Sequence, residues 1–394
     1  MTAPAPHAGP RVGLWLNGAR GSVGATAICG LVALRLGLIP PTGCVTEHLD
    51  VPDGVLPDWG DLVVGGHDIV GTPLRKRADQ LADAGLVPTR LLSAMGPHLD
   101  EIDADVCPGY CPTEHRAPLV AAAHRLTTDL TRFRAAHGLS RVVVVNVAST
   151  EPGWPAAPEH ESLDLLRRAL DDPDRPALPA SSLVAYAAVA AGCSYVDFTP
   201  SPGIRIPALM EFARSQGVPY AGCDGKTGET LLRTVLAPMF RARGLAVRSW
   251  SGTNLLGGGD GANLADPVRA GGKLASKRRG LAALLGGEVT APLHIDNVPD
   301  LGEQKVAWDH VSFEGFLGAR MTLQFTWTGW DSALAAPLVL DLARLVAAAH
   351  AAGRSGPLGA LAAFFKDPIG CAEHRFAEQM DLLRRWVAEL PVPR

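Results

Sequence analysis

The stretch that decides the fold class runs from Arg11 to Leu36. Arg11-Val-Gly-Leu-Trp-Leu-Asn17 is followed at once by Gly18-Ala-Arg-Gly21-Ser-Val-Gly24, and then by an apolar run from Ala25 to Leu36. The first segment suits a buried strand and the last has helical periodicity. Strand, glycine turn and helix in that order form the context in which a dinucleotide fingerprint has physical meaning. The first glycine permits a tight turn, the last lets helix pack on strand, and a pyrophosphate would rest on the helix N-terminus around Gly21, Ser22, Val23 and Gly24. The middle glycine of the usual G-x-G-x-x-G is Arg20, so the pattern reads G-x-x-G-x-x-G. On this motif alone an ordinary strand–helix turn stays open.

Working outward, the alternation continues. Asp61 to Asp68 reads as a second strand ending in a polar loop, and Arg141 to Val147 as a central strand buried on both faces. The latter runs into Ala148-Ser149-Thr150, small residues at a strand's carboxyl end, where open α/β sheets bind ligands. Helical periodicity marks 72–84, 115–137, 181–192, 207–216 and 229–243, with strands at 195–198 and 219–222. This predicts an α/β fold, a doubly wound parallel sheet. Beyond residue 245 the character changes. Segments 247–251, 292–298, 305–316 and 321–327 alternate like strands of an antiparallel or mixed sheet, and 333–352 reads as a long apolar helix with Asp331 or Ser332 as its N-cap. Helices are also expected at 359–365 and 374–389, and Pro-rich surface loops at 152–158 and 173–179.

Of 394 residues, 47% are hydrophobic and 19% charged, enough for two domains with real cores. A net charge of −4, without a long basic run, gives no footprint of nucleic-acid binding. No apolar stretch is expected to span a bilayer, and the opening MTAPAPHAGP reads as a disordered tail without the order of a signal peptide. Seven scattered cysteines imply free thiols in a reducing, cytoplasmic setting. Cys107, Cys111 and His115 are close in sequence, but no second Cys/His pair with finger-like spacing follows, so no metal is expected.

Two polar stretches carry candidate chemistry. Asn254 to Lys277 holds a glycine run, Gly257 to Gly259, then Asp260-Gly261, then Lys273 and Lys277. If 272–277 opens a helix, the two lysines share one face, and each makes the other costlier to charge. That suits a phosphate clamp or a proton-shuttling lysine, although a solvated basic helix has the same pattern. Gly222-Cys-Asp224-Gly-Lys226-Thr227-Gly228 tempts a nucleotide P-loop reading. The spacing puts Tyr220 where the first glycine should be, so it is not one. It can still present N–H groups to an anion at a helix N-terminus.

Four stretches in order resemble the L-myo-inositol-1-phosphate synthase family. Residues 222–230 are similar to its G-D-D-x-K-S-G-Q-T and Asn254 to Asn263 to N-H-L-G-N-N-D-G-x-N. Gly302-Glu303-Gln-Lys305 with Ala307 and Asp309 resembles G-D-S-K-x-A-x-D, and residues 331–337 resemble D-S-L-L-A-A-P. Residues 65–69 and 142–150 resemble two weaker family motifs, G-G-W-D-I and V-V-V-L-W-T-A-N-T. The resemblance implies a Rossmann-type NAD domain made of 11–226 with 333–394, and a sheet-rich catalytic and oligomerisation domain at 227–332. It implies a cytoplasmic homotetramer that turns glucose 6-phosphate into 1L-myo-inositol 1-phosphate, with NAD used and regenerated.

It also implies site residues. Lys273, Lys277, Lys305 and Lys366 would be catalytic. Lys273 and Lys366 would flank the C5 hydroxyl, while Lys305 and Lys277 would hold the C1 oxygen and the phosphate. Thr227, Gly228, Asn254 and Asp260 would bind the sugar phosphate. Gly18, Gly21, Ser22, Val23, Gly24, Asp68, Ala148, Ser149, Thr150, Asp224, Glu303, Asp331 and Ser332 would bind the cofactor. The chain departs from the pattern at Gly258-Gly259, where the family has two asparagines, and at Arg20, Thr227 and Glu229. Arg20 could pair with a 2′-phosphate and admit NADP, and Glu229 near a phosphate is unfavourable unless it faces away. A divergent paralogue acting on a related sugar phosphate, a conventional NAD(P)-dependent dehydrogenase, and a binding protein without catalysis are the alternatives.

Overall fold

The computed structural model describes residues 9–113, 118–258 and 280–392. His115, Asp260, Lys273, Lys277 and the expected N-terminal tail through Ala8 lie outside the described residues.

In chain order the strands are β1 (Val12–Asn17), β2 (Leu62–Asp68), β3 (Val106–Pro108), β4 (Arg141–Asn146), β5 (Ser194–Asp197) and β6 (Pro219–Gly222), then β7 (Ala246–Leu256), β8 (Leu293–Asn297), β9 (Gln304–Glu314), β10 (Arg320–Trp330) and β11 (Gly356–Pro357). The helices are α1 (Ser22–Arg35), α2 (Leu74–Asp83), α3 (Thr89–Asp103), α4 (Leu119–Ala136), α5 (Leu163–Asp171), α6 (Ala180–Ala190), α7 (Pro207–Ser215), α8 (Gly228–Ala242), α9 (Asp331–Ala351) and α10 (Phe376–Ala388).

Seven strands form one parallel sheet in the order β11-β6-β5-β4-β1-β2-β3. The order reverses between β1 and β4, whose carboxyl ends lie side by side with Asn17 paired to Asn146. That is the switch point where doubly wound sheets bind ligands. Val142 to Val145 are buried on both faces, as a central parallel strand requires. Each such side chain contributes about 1.5–3 kcal/mol of hydrophobic stabilisation. Helices α1, α2, α3 and α9 cover one face and α4 to α7 the other.

The second sheet has the order β10-β9-β7-β8 and is mixed: β9 runs antiparallel to both neighbours, and β8 parallel to β7. Its inner face packs on α8 around Trp250, Phe240 and Val311. Buried Arg233 sits there between two carboxylates, Glu229 and Asp309, the latter at 2.9 Å and also accepting from Trp250 Nε1 at 2.7 Å. Glu229 therefore turns away from the start of α8 and into the core. Burial, reinforced by the neighbouring Glu229 charge, raises the Asp309 pKa against the pull of Arg233.

The structure corrects several expectations. β7 extends to Leu256, so Asn254 and Leu255 belong to a strand and not to the glycine loop. α3 and α5 appear where no helix was expected, and α3 carries Pro97 in its interior. The 359–365 segment is a 3-10 turn from Gly359 to Phe364. Neither Asp331 nor Ser332 caps α9: the cap position is Trp330, with no side-chain capping bond, and Asp331 is the first helical residue. A stretch long and apolar enough to cross a bilayer does exist, namely α9. It is mostly buried as the core helix between α1 and the parallel sheet. Its Asp341 and Arg344 are held there by Thr46, each through a hydrogen bond, and Arg344 also pairs with Glu47 at 2.7 Å.

Replacing Arg233 by Met strands two buried carboxylates. Arg233→Met is expected to lower unfolding free energy by about 3–5 kcal/mol in denaturant titrations, against less than that for Glu229→Gln, which leaves the Asp309 pair intact.

Candidate active site

The turn after β1 shows why its glycines are needed. Gly18 has φ +97, and a Cβ there would lie 2.8 Å from Ala148 Cα. At Gly24 a Cβ would lie 2.4 Å from the Gly18 carbonyl, so α1 can approach β1 only without a side chain. Gly21 occupies the cap position of α1 with no capping side chain and no acidic residue in the first turn. The helix N–H groups are thereby left for an anion. Asp68, buried at the end of β2, accepts from the backbone N–H of Arg20 at 2.7 Å and of Val70 at 2.8 Å. These features fit a dinucleotide: an open helix terminus for a pyrophosphate, and a carboxylate at the end of the second strand for ribose hydroxyls.

The Arg20 guanidinium is already engaged, at 3.0 Å with Asp103 and at 3.0 Å with the Val70 carbonyl. Ser22 donates to Glu303 Oε1 at 3.0 Å, which brings the start of β9 against the start of α1. Arg77, missed in the sequence, donates to the Arg20 carbonyl at 2.9 Å and lies 3.5 Å from Ser22 Oγ. It supplies positive charge beside a helix terminus that also faces the Glu303 carboxylate. On the neighbouring strand end, Ala148 is half-buried, Ser149 exposed and Thr150 buried. Val23 packs on the core.

A second group gathers on the loop between β6 and α8. Asp224 has φ +64, a left-handed conformation that Asp tolerates better than most residues. Its Oδ1 accepts from Lys366 Nζ at 2.8 Å, while Oδ2 is buried and without a hydrogen-bond partner. Two backbone bonds fasten the segments, Lys366 N–H to Asp224 O at 2.7 Å and Lys226 N–H to Phe364 O at 2.8 Å. Lys366 thus serves as the partner of a buried carboxylate and not as a helix-end cation. Three residues on, Thr227 donates to Asp331 Oδ1 at 3.1 Å, and the other oxygen of Asp331 meets Lys305 Nζ at 3.0 Å. One loop therefore ties together two of the four candidate lysines. Lys273 and Lys277 lie outside the described residues.

Asn254, Ala307 and Trp327 stand in register across β7, β9 and β10, and Lys305 faces Gly329 in the adjacent row. Asn254 is buried with Oδ1 unpartnered, and Ser332, beside Asp331, has a buried unpartnered hydroxyl. Gly228 opens α8 against Trp327: a Cβ on it would come within 3.2 Å of the indole nitrogen.

Sequence reasoning also passed over Lys226. It is 3% exposed, donates to Gln379 Oε1 of α10 and lies 5.7 Å above the Phe376 ring. Burial pushes its pKa down to about 7, aided by the Lys366 charge. The sole signal was its place in the Asp224–Thr227 motif, since burial of a lysine has no signature in composition.

A family model described as myo-inositol-1-phosphate synthase, of an NAD-binding class, matches residues 12–388. The chain belongs to this family. An inositol-3-phosphate synthase of Bacteroides thetaiotaomicron is 33% identical, over 95% of this chain and 93% of its own length. The human inositol-3-phosphate synthase 1 is 29% identical, over 85% of this chain and 68% of its own. The fold matches the crystal structure of inositol-3-phosphate synthase from Caenorhabditis elegans with a TM-score of 0.84 at 21% identity, covering 96% of this chain and 85% of that one. It matches a myo-inositol-1-phosphate synthase-related protein from Thermotoga maritima with a TM-score of 0.74, also at 21% identity. The NAD-binding family, the Rossmann-like sheet and the enzyme class expected from the sequence all stand on these matches.

The buried Lys226 makes a prediction about stability. Its folded pKa is about 7 and its ordinary value 10.5, so between those limits the unfolded chain binds more protons than the folded one. Stability contributed by this group rises with pH across that window. Lys226→Met is expected to flatten the rise of unfolding free energy between pH 7 and pH 10, measured by denaturant titration at each pH.

Proposed function

We propose that this chain carries out the NAD-dependent, redox-neutral cyclisation of D-glucose 6-phosphate to 1L-myo-inositol 1-phosphate. The observation that carries the reading is the convergence of Lys305 and Lys366 on the loop 224–228, through Asp331 and Asp224. NAD would be held by Gly18, Gly21, Ser22, Val23, Gly24 and Asp68 and would supply reversible hydride chemistry at C5. The remaining chemistry belongs to the chain's own side chains. The C5 hydroxyl must lose a proton, C6 must lose one to become an enolate, and the C1 aldehyde oxygen must bear charge as the ring closes. Ammonium groups fixed in a half-buried pocket stabilise each of these oxygens more than water does.

Lys366, steadied by Asp224, and Lys273 serve the C5 oxygen, with Lys273 the proton shuttle. Lys305, oriented by Asp331, and Lys277 serve C1 and the phosphate. The N-terminus of α8 at Gly228 and the Thr227 hydroxyl receive the phosphate, with Asn254 and Asp260 as further contacts. Asp68 favours NAD over NADP, because a 2′-phosphate would be set against its carboxylate. The engagement of Arg20 with Asp103 supports the same preference.

Incubation of the purified protein with glucose 6-phosphate and a catalytic amount of NAD is expected to yield a cyclitol phosphate by NMR, without accumulation of reduced nicotinamide. Net reduced cofactor with turnover would instead establish a dehydrogenase. Lys305→Met and Lys366→Met are each expected to lower kcat by about 10²–10³-fold, with NAD affinity within about twofold. Full turnover in either variant would remove the reading.

We propose further that the chain assembles as a homotetramer through the second sheet. The outer face of that sheet carries Ser251, Thr253, Trp308, His310, Gln324 and Thr326, with Trp308 exposed in its middle, and Phe316 and Leu317 stand 88% and 90% exposed at the β9–β10 turn. Bulky apolar groups on an open sheet face and hairpin tip support association. Light scattering is expected to give four chains for the wild type and smaller species for Trp308→Lys; a monomeric wild type at micromolar concentration would refute it.

A further inference from the structure

We propose that Asp103 is a specificity-determining residue: it holds the Arg20 guanidinium in an ion pair and so keeps it from the 2′-phosphate of a phosphorylated dinucleotide, reserving the site for NAD. The inference rests on the reading above that NAD lies across the turn after β1, and it assigns the choice of cofactor to a residue outside the family motifs. Arg20 stands in that turn, between Gly18 and Gly21, and both its main chain and its side chain are fastened to the loop after β2. Its N–H donates to Asp68 Oδ2 at 2.7 Å and its Nη1 to the Val70 carbonyl at 3.0 Å, while the Val70 N–H returns to Asp68 Oδ1 at 2.8 Å. The guanidinium thus sits on the same loop, 68–70, as the carboxylate suited to ribose hydroxyls. Just beyond Asp68, Ile69 and Val70 are 66% and 46% exposed, an apolar surface suited to an adenine ring.

An arginine in this position has the right chemistry to pair bidentately with a 2′-phosphate. Here that use is blocked. Asp103, the last residue of α3, accepts from Arg20 Nε at 3.0 Å, and the two side chains are only 14% and 21% exposed. The same Asp103 oxygen accepts the Leu74 N–H at the start of α2 at 3.2 Å, so the carboxylate is itself fixed by a second element. Arg77 steadies the turn through the Arg20 carbonyl at 2.9 Å. The loop after β2, the start of α2 and the end of α3 therefore all bear on one arginine. The charges follow the same logic. Asp68 and Asp103 stand against Arg20 and Arg77, and a 2′-phosphate would bring about two further negative charges beside Asp68. Removal of the Asp103 carboxylate releases the Arg20 Nε and one unit of positive charge where that phosphate would arrive.

The test uses nucleotides that isolate the adenosine half of the cofactor. Binding of 5′-ADP, 2′,5′-ADP and NAD to the full chain is measured by isothermal titration calorimetry. The wild type is expected to bind 5′-ADP at least about tenfold more tightly than 2′,5′-ADP. Asp103→Ala should tighten 2′,5′-ADP about tenfold, the worth of one charge-assisted hydrogen bond, and leave 5′-ADP within about twofold. Arg20→Ala in the Asp103→Ala background should erase that gain, a result that a merely structural role for Asp103 does not give. Asp103→Asn keeps an acceptor for the Leu74 N–H and should move the ratio of the two affinities in the same direction; it carries the test if the Ala variant unsettles α2. Equal wild-type affinity for both nucleotides, an unchanged ratio in the Asp103 variants, or a gain that survives the loss of Arg20 would overturn the proposal. If the wild type then still binds NAD, the cofactor reading survives and only the role of Asp103 is lost. If the wild type does not bind NAD, the cofactor reading falls and this proposal falls with it.

Discussion

The structure depends on how a buried carboxylate at Asp224 is satisfied. The loop after β6 turns through a left-handed residue and places that carboxylate, 4% exposed, where Lys366 reaches it from a segment 142 positions later in the chain. Removing one member of such a pair leaves an uncompensated charge in a poor dielectric, at a cost of several kcal/mol. Lys366 is thereby pinned to the end of the parallel sheet although its own segment is an irregular turn. Two backbone bonds reinforce the arrangement by pairing 224–226 with 364–366 as a short antiparallel ladder. From this junction α8 starts, and with it the packing of the second sheet.

The same economy governs Lys305. It stands at the start of β9, and Asp331 in the first turn of α9, so their pairing couples the mixed sheet to the helix that packs on the parallel sheet. Thr227 completes the triangle by donating to the other carboxylate oxygen. Each candidate lysine within the described residues is thus paired with one carboxylate. A pair of this kind keeps the ammonium group oriented before any substrate arrives. Oriented ammonium groups are what the proposed enolisation and ring closure would need at their oxygens, because their alignment costs nothing at the moment of reaction.

Much of this was legible in the sequence, and for identifiable reasons. The parallel sheet could be read because β1 and β4 are unbroken apolar runs and because Gly18 and Gly24 stand at the spacing that a strand–helix turn enforces. The motif resemblance singled out Lys305, Lys366, Asp224, Asp331 and Thr227, which the fold does bring to one loop. Their pairings could not be read, since a carboxylate that looks like a helix cap in sequence becomes a lysine partner only when another segment arrives beside it. Asp331 illustrates this: at the first turn of α9 it would satisfy any capping rule, yet both its oxygens are taken by Lys305 and Thr227. Glu229 is the converse case. Its charge looked hostile to a phosphate, but in the helix it lies one turn before Arg233 and is drawn into the core. Arg77 left no trace, and Lys226 only its place in a motif, because each acquires its meaning from a neighbour distant in sequence.

The mixed sheet carries a division of labour that strand alternation imposes. Along β9, Lys305, Ala307 and Asp309 face inward while Val306, Trp308 and His310 face out, so a slip of one residue would exchange the two sets. Register is held at the far end by the buried Asp309, bonded to both Arg233 and Trp250. Because β9 pairs with both neighbours without a register shift from Lys305 to Asp309, fixing Asp309 also fixes Lys305, two pleats toward the loop 224–228. The ion pair under the second sheet is remote from the candidate chemistry, yet it sets which face of β9 the Lys305 ammonium group emerges from. A buried charge network that adds little net stability over an apolar core can still specify one arrangement. Here the arrangement it specifies is the one that puts Lys305 beside Asp331.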